Sequence, residues 1–347
     1  MTNRDTELIP IAARSGHDHY LIAYQLAEPQ LTTWNAISPA SRIVVEVSSL
    51  SQDNWTSLGE ISVGEPFRVP DALGPVPLFR TRRNGGYFYI GIRRIELEGA
   101  TNFRDVGGYL TQDHSQLRYG RIFRSDNLAN LTPSDWKVVD ELGVGCIIDL
   151  RRMDEKLRSP TELPAGSKIE IIELPIDVEI LGKGELLQHI LSREITKITH
   201  EDMAQMYQDV LSNFRPELTR AVSILLDPTR KNKIVHCTAG KDRTGLSVAL
   251  VLALCNVPHK QIMSDFLLSN SFRTPTRIAA LSERLKLHQV DIEDIVPYLS
   301  ASRTALVRAF EVLRDQYGGP ANYLTFDEII PALADDWQSH MIYRSMS

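Results

Sequence analysis

Residues 233–254 read KIVHCTAGKDRTGLSVALVLAL. Lys233-Ile234-Val235-His236 is a short apolar run bounded by polar residues, which predicts a buried strand. Thr244 to Leu254 is apolar nearly all round, which predicts a central rather than a surface helix. Between them lies a compact loop that delivers the chain to a helix N-terminus. There several backbone N–H groups lack partners and the helix dipole adds about half a positive charge, so the point is an anion site. Cys237 sits at its mouth. That field can draw a thiol from a pKa near 8.5 into the range of about 3.5 to 7.5, giving a thiolate at neutral pH. Arg243, six residues on, can return across the loop and offer a bidentate fork to two oxygens of a bound phosphate. Donors around a phosphorus with a nucleophile below it answer the main electrostatic need of phosphoryl transfer and imply a cysteinyl-phosphate intermediate. That chemistry requires no metal and no cofactor.

Outward from this segment the chain alternates strands and helices from Arg94 onward, the pattern of a mostly parallel sheet covered by helices. Strands are expected at 121–123, 146–150 and 169–174. A helix is expected after Thr132-Pro133-Ser134-Asp135, which offers an N-cap, a first-turn proline and an acidic first turn, with Gly143 as its stop. Residues 186–226 read as a long helical region. Leu306, Phe310, Leu313 and Tyr317 share one face of a helix ended by Gly318-Gly319. Residues 17–95 read differently. The runs 19–24, 42–47 and 86–92 are β-branched or aromatic, with proline-rich connections and an Asn84-Gly85-Gly86 turn. The expected organisation is a small antiparallel β-sandwich over residues 1–94 and an α/β domain over 95–347.

The 347 residues allow about two domains of average size. With 43% hydrophobic and 24% charged residues, collagen-like, coiled-coil and largely disordered chains are excluded. A net charge of -6 removes any general attraction for nucleic acid or anionic membrane, so affinity for anions must be local. The three cysteines, Cys146, Cys237 and Cys255, show no paired spacing, which argues against disulfides and structural zinc. Cys146 and Cys255 lie in apolar runs and read as small core residues. The N-terminus lacks the apolar core of a secretory signal, and no stretch suits a membrane-spanning helix. A cytoplasmic protein is the expectation, with signal-independent secretion left open.

His236-Cys237-x5-Arg243-Thr244-Gly245 resembles the signature of the cysteine-dependent tyrosine phosphatases, and HCTAGKDRTG resembles the bacterial branch called tyrosine phosphatase family 3. LEGATNFRDVGGY (97–109), FRSD (123–126), IDLR (148–151) and LLSN (267–270) are similar to the same branch, so the resemblance covers about 95–325. It implies a phosphatase fold with Cys237 as nucleophile and Arg243 as clamp. Thr238, Ala239, Gly240, Lys241, Asp242 and Arg243 would cradle the phosphate, and Thr244 would assist breakdown of the phosphoenzyme. Lys241 and Asp242 match a charged pair associated with broad specificity.

A proton donor is also needed, and Asp177, Asp149, Asp242 and Asp126 compete. Asp177 follows the strand at 169–174, as the acid does in related phosphatases, and is the first choice. Asp149 is the second choice: it ends its own strand, where α/β sites cluster, but beside Arg151 it reads more as a salt-bridged scaffold. His236 reads as ordering the loop rather than as a base. Arg104 and Asp105 are open to substrate or salt-bridge roles, Phe103 and Tyr109 to flanking a phenyl ring or packing, and Tyr207 to core or lid. Leu181 to Thr199 could form a lid hinged at Gly182 and Gly184.

The expected activity is hydrolysis of phosphate monoesters, protein phosphotyrosine first. A phosphoinositide phosphatase is the nearest alternative, a phosphate-binding adaptor the alternative of another class, and sulfur transfer a third. The N-terminal unit is open to a protein partner.

Overall fold

The structure, a computed structural model of the 347-residue chain, describes residues 8–15, 19–26, 42–50, 54–69, 73–74, 76–83, 85–177, 186–324 and 337–343. Gly182 and Gly184, the supposed hinges, lie outside the described residues.

The N-terminal strands are β1 (Leu8–Arg14), β2 (His19–Leu26), β3 (Arg42–Ser49), β4 (Thr56–Ser62), β5 (Phe67–Arg68), β6 (Pro77–Arg83) and β7 (Gly86–Gly91). They form two antiparallel sheets, in the orders β1-β2-β5 and β4-β3-β6-β7. The period-two pattern turns Val45, Val47, Phe79, Phe88 and Ile90 inward. Tyr20 and Phe67 of the first sheet pack on Phe79 of the second, with ring centroids 5.9 and 5.5 Å apart. Asn84 of the expected turn lies outside the described residues, while Arg83 pairs with Gly86 in the β6–β7 hairpin and Gly85 has φ +83°.

The rest of the chain supplies β8 (Arg104–Asp105), β9 (Gln116–Leu117), β10 (Ile122–Ser125), α1 (Pro133–Glu141), β11 (Val144–Asp149), α2 (Met153–Arg158) and β12 (Glu170–Glu173). After these come α3 (Leu186–Leu191), α4 (His200–Asn213), α5 (Arg215–Leu226), β13 (Asn232–His236), α6 (Arg243–Leu254), α7 (His259–Phe272) and α8 (Thr274–Leu287). The chain closes with α9 (Val296–Leu299), α10 (Arg303–Tyr317), α11 (Pro320–Leu324), α12 (Trp337–Met341) and β14 (Ile342–Tyr343). The central sheet runs β12-β11-β13-β10-β8, parallel except for the β8 edge. This is the mostly parallel α/β architecture read from the sequence. Thr132 caps α1 through a reciprocal pair with Asp135, and Gly318 ends α10 in the left-handed region. The long helical region is instead three helices: Thr199 caps α4 through a capping box with Asp202, and Pro216 lies in the first turn of α5. Among the described residues no helix is long and apolar enough to cross a membrane.

Alternation along the central strands sends side chains to two different cores. Cys146, Ile148 and Val235 face the helices, in a cluster that contains Met203, Leu225, Leu250 and Leu306. Ile147, Ile234 and Phe123 face the other way and share a second cluster with Trp136 of α1 and with Val47, Phe79 and Ile90 of the N-terminal strands. The hydrophobic packing is therefore continuous across residue 94. The C-terminus returns to the same region: β14 pairs with β9, and Tyr343 stacks on Tyr89 at 3.7 Å.

Shared packing makes the N-terminal strands cooperate with the α/β half. Phe79→Ala should cost about 3–5 kcal/mol and lower the single thermal midpoint of the whole chain. A low-temperature transition confined to the β-sandwich, with the central sheet melting at its original temperature, would contradict this.

Candidate active site

The loop of residues 237–242 leaves the buried end of β13 and enters α6, whose first turn is buried. It curls around the Cys237 sulfur, which is 1% exposed and accepts the Gly240 N–H at 3.2 Å. Three consecutive carbonyls are held from outside this curl. Thr238 O accepts from Asn127 N at 3.3 Å, Ala239 O from Asn102 Nδ2 at 3.1 Å and Gly240 O from Arg124 Nη2 at 2.7 Å. A peptide whose carbonyl is drawn outward turns its N–H inward, so the loop offers donors toward the sulfur. Gly240 makes the curl possible. Its φ is +67°, and a Cβ there would lie 2.4 Å from Ser125 O.

Buried ions hold these donors in place. Arg124 also donates to Asp265, while Arg104 donates to Asp265 O at 3.0 Å and Ser269 Oγ at 3.1 Å. Burial and then the charge of Arg124 lower the Arg104 guanidinium to about 9. Asp105 accepts from Gly107 N and Gly120 N at 2.7 Å, and burial raises its carboxyl to about 6. Arg104 and Asp105 thus serve the scaffold. Phe103 and Tyr109 are buried too: Phe103 stacks on Phe123, and the Tyr109 hydroxyl donates to Asp265 at 3.1 Å.

Arg243 reaches past the C-terminal ends of β11 and β12. Its Nη1 donates to Leu150 O at 3.2 Å and Ile176 O at 3.4 Å. Glu155 of α2 grips the guanidinium at 2.6 and 2.9 Å and accepts the Thr238 hydroxyl at 2.6 Å. Burial alone would raise the Glu155 carboxyl, but hydrogen bonds and charge from Arg243, with Thr238, bring it to about 2. Cys237 and Glu155 together outweigh burial and hold Arg243 firmly protonated. Sequence reading missed Glu155. Its only signal is an acid in the first turn of a helix that follows a strand end.

The aspartates separate clearly. Asp149 is buried, bound by Arg151 Nε and Nη2 at 2.9 and 2.7 Å, with His236 Nε2 at 3.6 Å. Asp126 accepts the N–H groups of Thr101 and Asn102 at 3.1 and 3.0 Å. Both are scaffold groups. Asp177 is 66% exposed, its carboxylate 3.7 Å from Arg152 Nε. Asp242 is 19% exposed, accepts the Tyr207 hydroxyl at 2.9 Å and pairs with Lys241 at 2.7 Å. Tyr207 is fully buried and reaches the site through that bond. Thr244 Oγ1 is buried with no hydrogen-bond partner among the described residues.

Above the loop opens a cavity of about 360 Å³ lined by Cys237, Thr238, Ala239, Lys241, Asp242 and Arg243. Arg152 and Arg158 around α2, Arg273 at the cap of α8, and Arg277 and Arg284 on α8 complete a basic wall against the two carboxylates of Glu155 and Asp242. Asp177 is not among the lining residues. No group of side chains suited to a metal ion occurs among the described residues. The arrangement can hold a tetrahedral anion against a sulfur nucleophile.

Residues 95–342 match the model of a tyrosine phosphatase family. The chain is 26% identical over 236 residues to a Cupriavidus necator protein provisionally named a tyrosine-protein phosphatase, covering 67% of this chain and 84% of that one. It is 28% identical over 261 residues to the triple specificity protein phosphatase PtpB of Mycobacterium tuberculosis, covering 66% and 92%. Among solved structures, the Siw14 catalytic core aligns with 55% of this chain at 17% identity and a TM-score of 0.28.

His236 gives the site a pH signature. Burial, only partly offset by Asp149, lowers its imidazole to about 4 from an ordinary 6.5, so the folded protein holds it neutral. The unfolded chain binds a proton that the folded chain refuses between those values. This contribution is complete above about pH 6.5 and is lost as pH falls toward 4, by up to about 3 kcal/mol. Denaturant midpoints of wild type and His236→Asn should therefore follow different slopes between pH 4 and 6.5, the wild type falling more steeply. Parallel curves would sink the assignment.

Proposed function

Since the chain belongs to the tyrosine phosphatase family, we propose that it hydrolyses phosphate monoesters through a cysteinyl-phosphate, with phosphotyrosine in proteins as its first substrate. The observation that carries this reading is the set of three carbonyls at 238–240 held by groups outside the loop, with the Gly240 N–H on the Cys237 sulfur. Cys237 attacks phosphorus as a thiolate. The S–P bond forms while the P–O bond to tyrosine breaks, and the three equatorial oxygens take N–H donors and the Arg243 fork. Water then attacks phosphorus, returning the sulfur as thiolate and releasing phosphate. Glu155 positions Arg243, and Thr244, the buried hydroxyl next in sequence, assists departure of the sulfur.

The leaving oxygen needs a proton, and Asp242 is the better placed donor. It lines the cavity, and an arriving phosphate competes for Lys241, freeing the carboxyl from that ion pair. Asp177 is the second reading, favoured by one contact: the carbonyl of the preceding Ile176 touches Arg243. The name of the mycobacterial relative adds broad specificity toward other phosphorylated residues as an expectation for this chain.

Turnover of p-nitrophenyl phosphate and of a phosphotyrosyl peptide should fall at least about a thousandfold in Cys237→Ser. Binding of the peptide by the wild type without turnover would instead make the chain a phosphate-binding adaptor. Greater efficiency on soluble phosphoinositides than on the peptide would overturn the substrate, and consumption of thiosulfate would point to sulfur transfer. The acid is separable by pH. On the peptide, whose phenolate leaves reluctantly without a proton, Asp242→Asn should lower kcat by about 10²–10⁴ and remove the decline of kcat at high pH. Asp177→Asn should keep that decline; the opposite result assigns the proton to Asp177.

A further inference from the structure

We propose that Arg273, the residue that caps the start of α8, and Arg277 and Arg284 on α8 form a subsite for acidic residues that flank the phosphotyrosine of a protein substrate. The proposal rests on the phosphatase reading above and adds a sequence preference to it.

The cavity wall carries seven basic side chains against two carboxylates, in a chain whose net charge is -6. Binding the transferred phosphate needs only Arg243 and the loop amides. Most of the surplus near the loop is already matched: Arg152 and Arg158 share Asp154, and Lys241 pairs with Asp242. The arginines of α8 and its cap are different. Arg273 comes no nearer than 3.7 Å to Asp126, whose oxygens are engaged by Thr101 and Asn102. Arg277 bonds to the neutral hydroxyl of Tyr298, and neither it nor Arg284 has a carboxylate partner among the described residues.

Their spacing makes them a row. At about 100° per residue, positions 273, 277 and 284 fall within roughly 40° of one line. Leu281 and Leu285, on the adjacent stripe, are buried in the core and fix the orientation of the helix. Arg277 is pushed below the ordinary arginine value by burial and then by Arg273, with Arg284 adding to the effect. Like charges four apart on a helix oppose its formation unless an anion lies between them. The row therefore stands at an electrostatic cost that a negatively charged ligand relieves.

Length selects the ligand. From the capping Arg273 to Arg284 the row spans about 16 Å at helical rise, which about five residues of extended peptide match at roughly 3.3 Å each. A single phosphorylated sugar ring is too short to engage the whole row while its scissile phosphate sits on the loop. Arginine forks suit planar carboxylates, so aspartate and glutamate side chains are the fitting groups.

The test uses the full chain and matched phosphotyrosyl peptides whose flanking five residues on either side are Glu-rich or Gln-rich, with soluble inositol trisphosphate as a third substrate. The wild type should favour the Glu-rich peptides by about tenfold in kcat/KM at low salt, the preference shrinking as salt rises. In the double variant Arg277→Gln, Arg284→Gln the ratio should approach one. Because the ratio is taken within one protein, general damage to folding does not produce it. Hydrolysis of both peptides with equal efficiency by the wild type overturns the subsite and leaves the phosphatase reading standing. Hydrolysis of neither overturns that reading itself. A trisphosphate substrate better than every peptide, losing its advantage in the double variant, assigns the row to a headgroup instead.

Discussion

The site depends on the orientation of three peptide units. Left alone, the carbonyls of residues 238–240 would be free to point into the loop and repel a bound anion. Asn102, Arg124 and Asn127 take them from outside. That outer layer is built from segments far away in sequence: 102–105 on the sheet edge, 124–127 at the end of β10, and Asp265 and Ser269 on α7. The constraint explains why so much buried charge lies under a small loop. Arg104, Arg124 and Asp265 are costly to desolvate one by one, but together with Asn102 and Ser269 they form a bonded set.

A second constraint is local charge. An acidic chain builds a basic pocket by placing arginines around α2, at the start of α6 and around α8, with two carboxylates, Glu155 and Asp242, inside it. Glu155 offsets part of the positive potential, but its bidentate grip also leaves Arg243 few orientations to lose when phosphate arrives. A glutamine could keep a hydrogen bond there but not the charge, which separates orientation from potential as causes.

Much of this was legible in the sequence, and the limits have physical reasons. The strand, loop and helix around Cys237 were readable because a short apolar run bounded by polar residues meets one that is apolar on all sides. The turn at 84–86 and the cap at Thr132 were readable because each is settled within a few residues. The helical stretch 186–226 carried its own breaks at Thr199 and Pro216, which a reading by apolar content passes over. Glu155 had no local pattern, since its importance comes from Arg243, 88 residues away. Asp177 could be ranked by its place after a strand, but that place does not tell that its carboxylate is largely exposed and outside the cavity lining. Periodicity says which residues are buried and not what buries them.

The N-terminal strands illustrate that last point. A mostly parallel sheet needs cover on both faces, because its strands are apolar on both. Helices α4 to α7 and α10 cover the face that carries Ile148 and Val235. On the opposite face only α1 is available from the helices in the same cluster, and the N-terminal sandwich completes the layer over Ile147, Ile234 and Phe123. The strands before residue 94 therefore take the place of the second helical layer found on doubly covered sheets. Their link to catalysis runs through packing: Phe123 begins the segment that ends in Arg124 and Asp126, so the sandwich supports one side of β10 while the loop rests on its end. Removing that cover would expose the apolar face and loosen the strand that holds the Gly240 carbonyl, which ties a unit with no residue in the cavity to the geometry of the nucleophile.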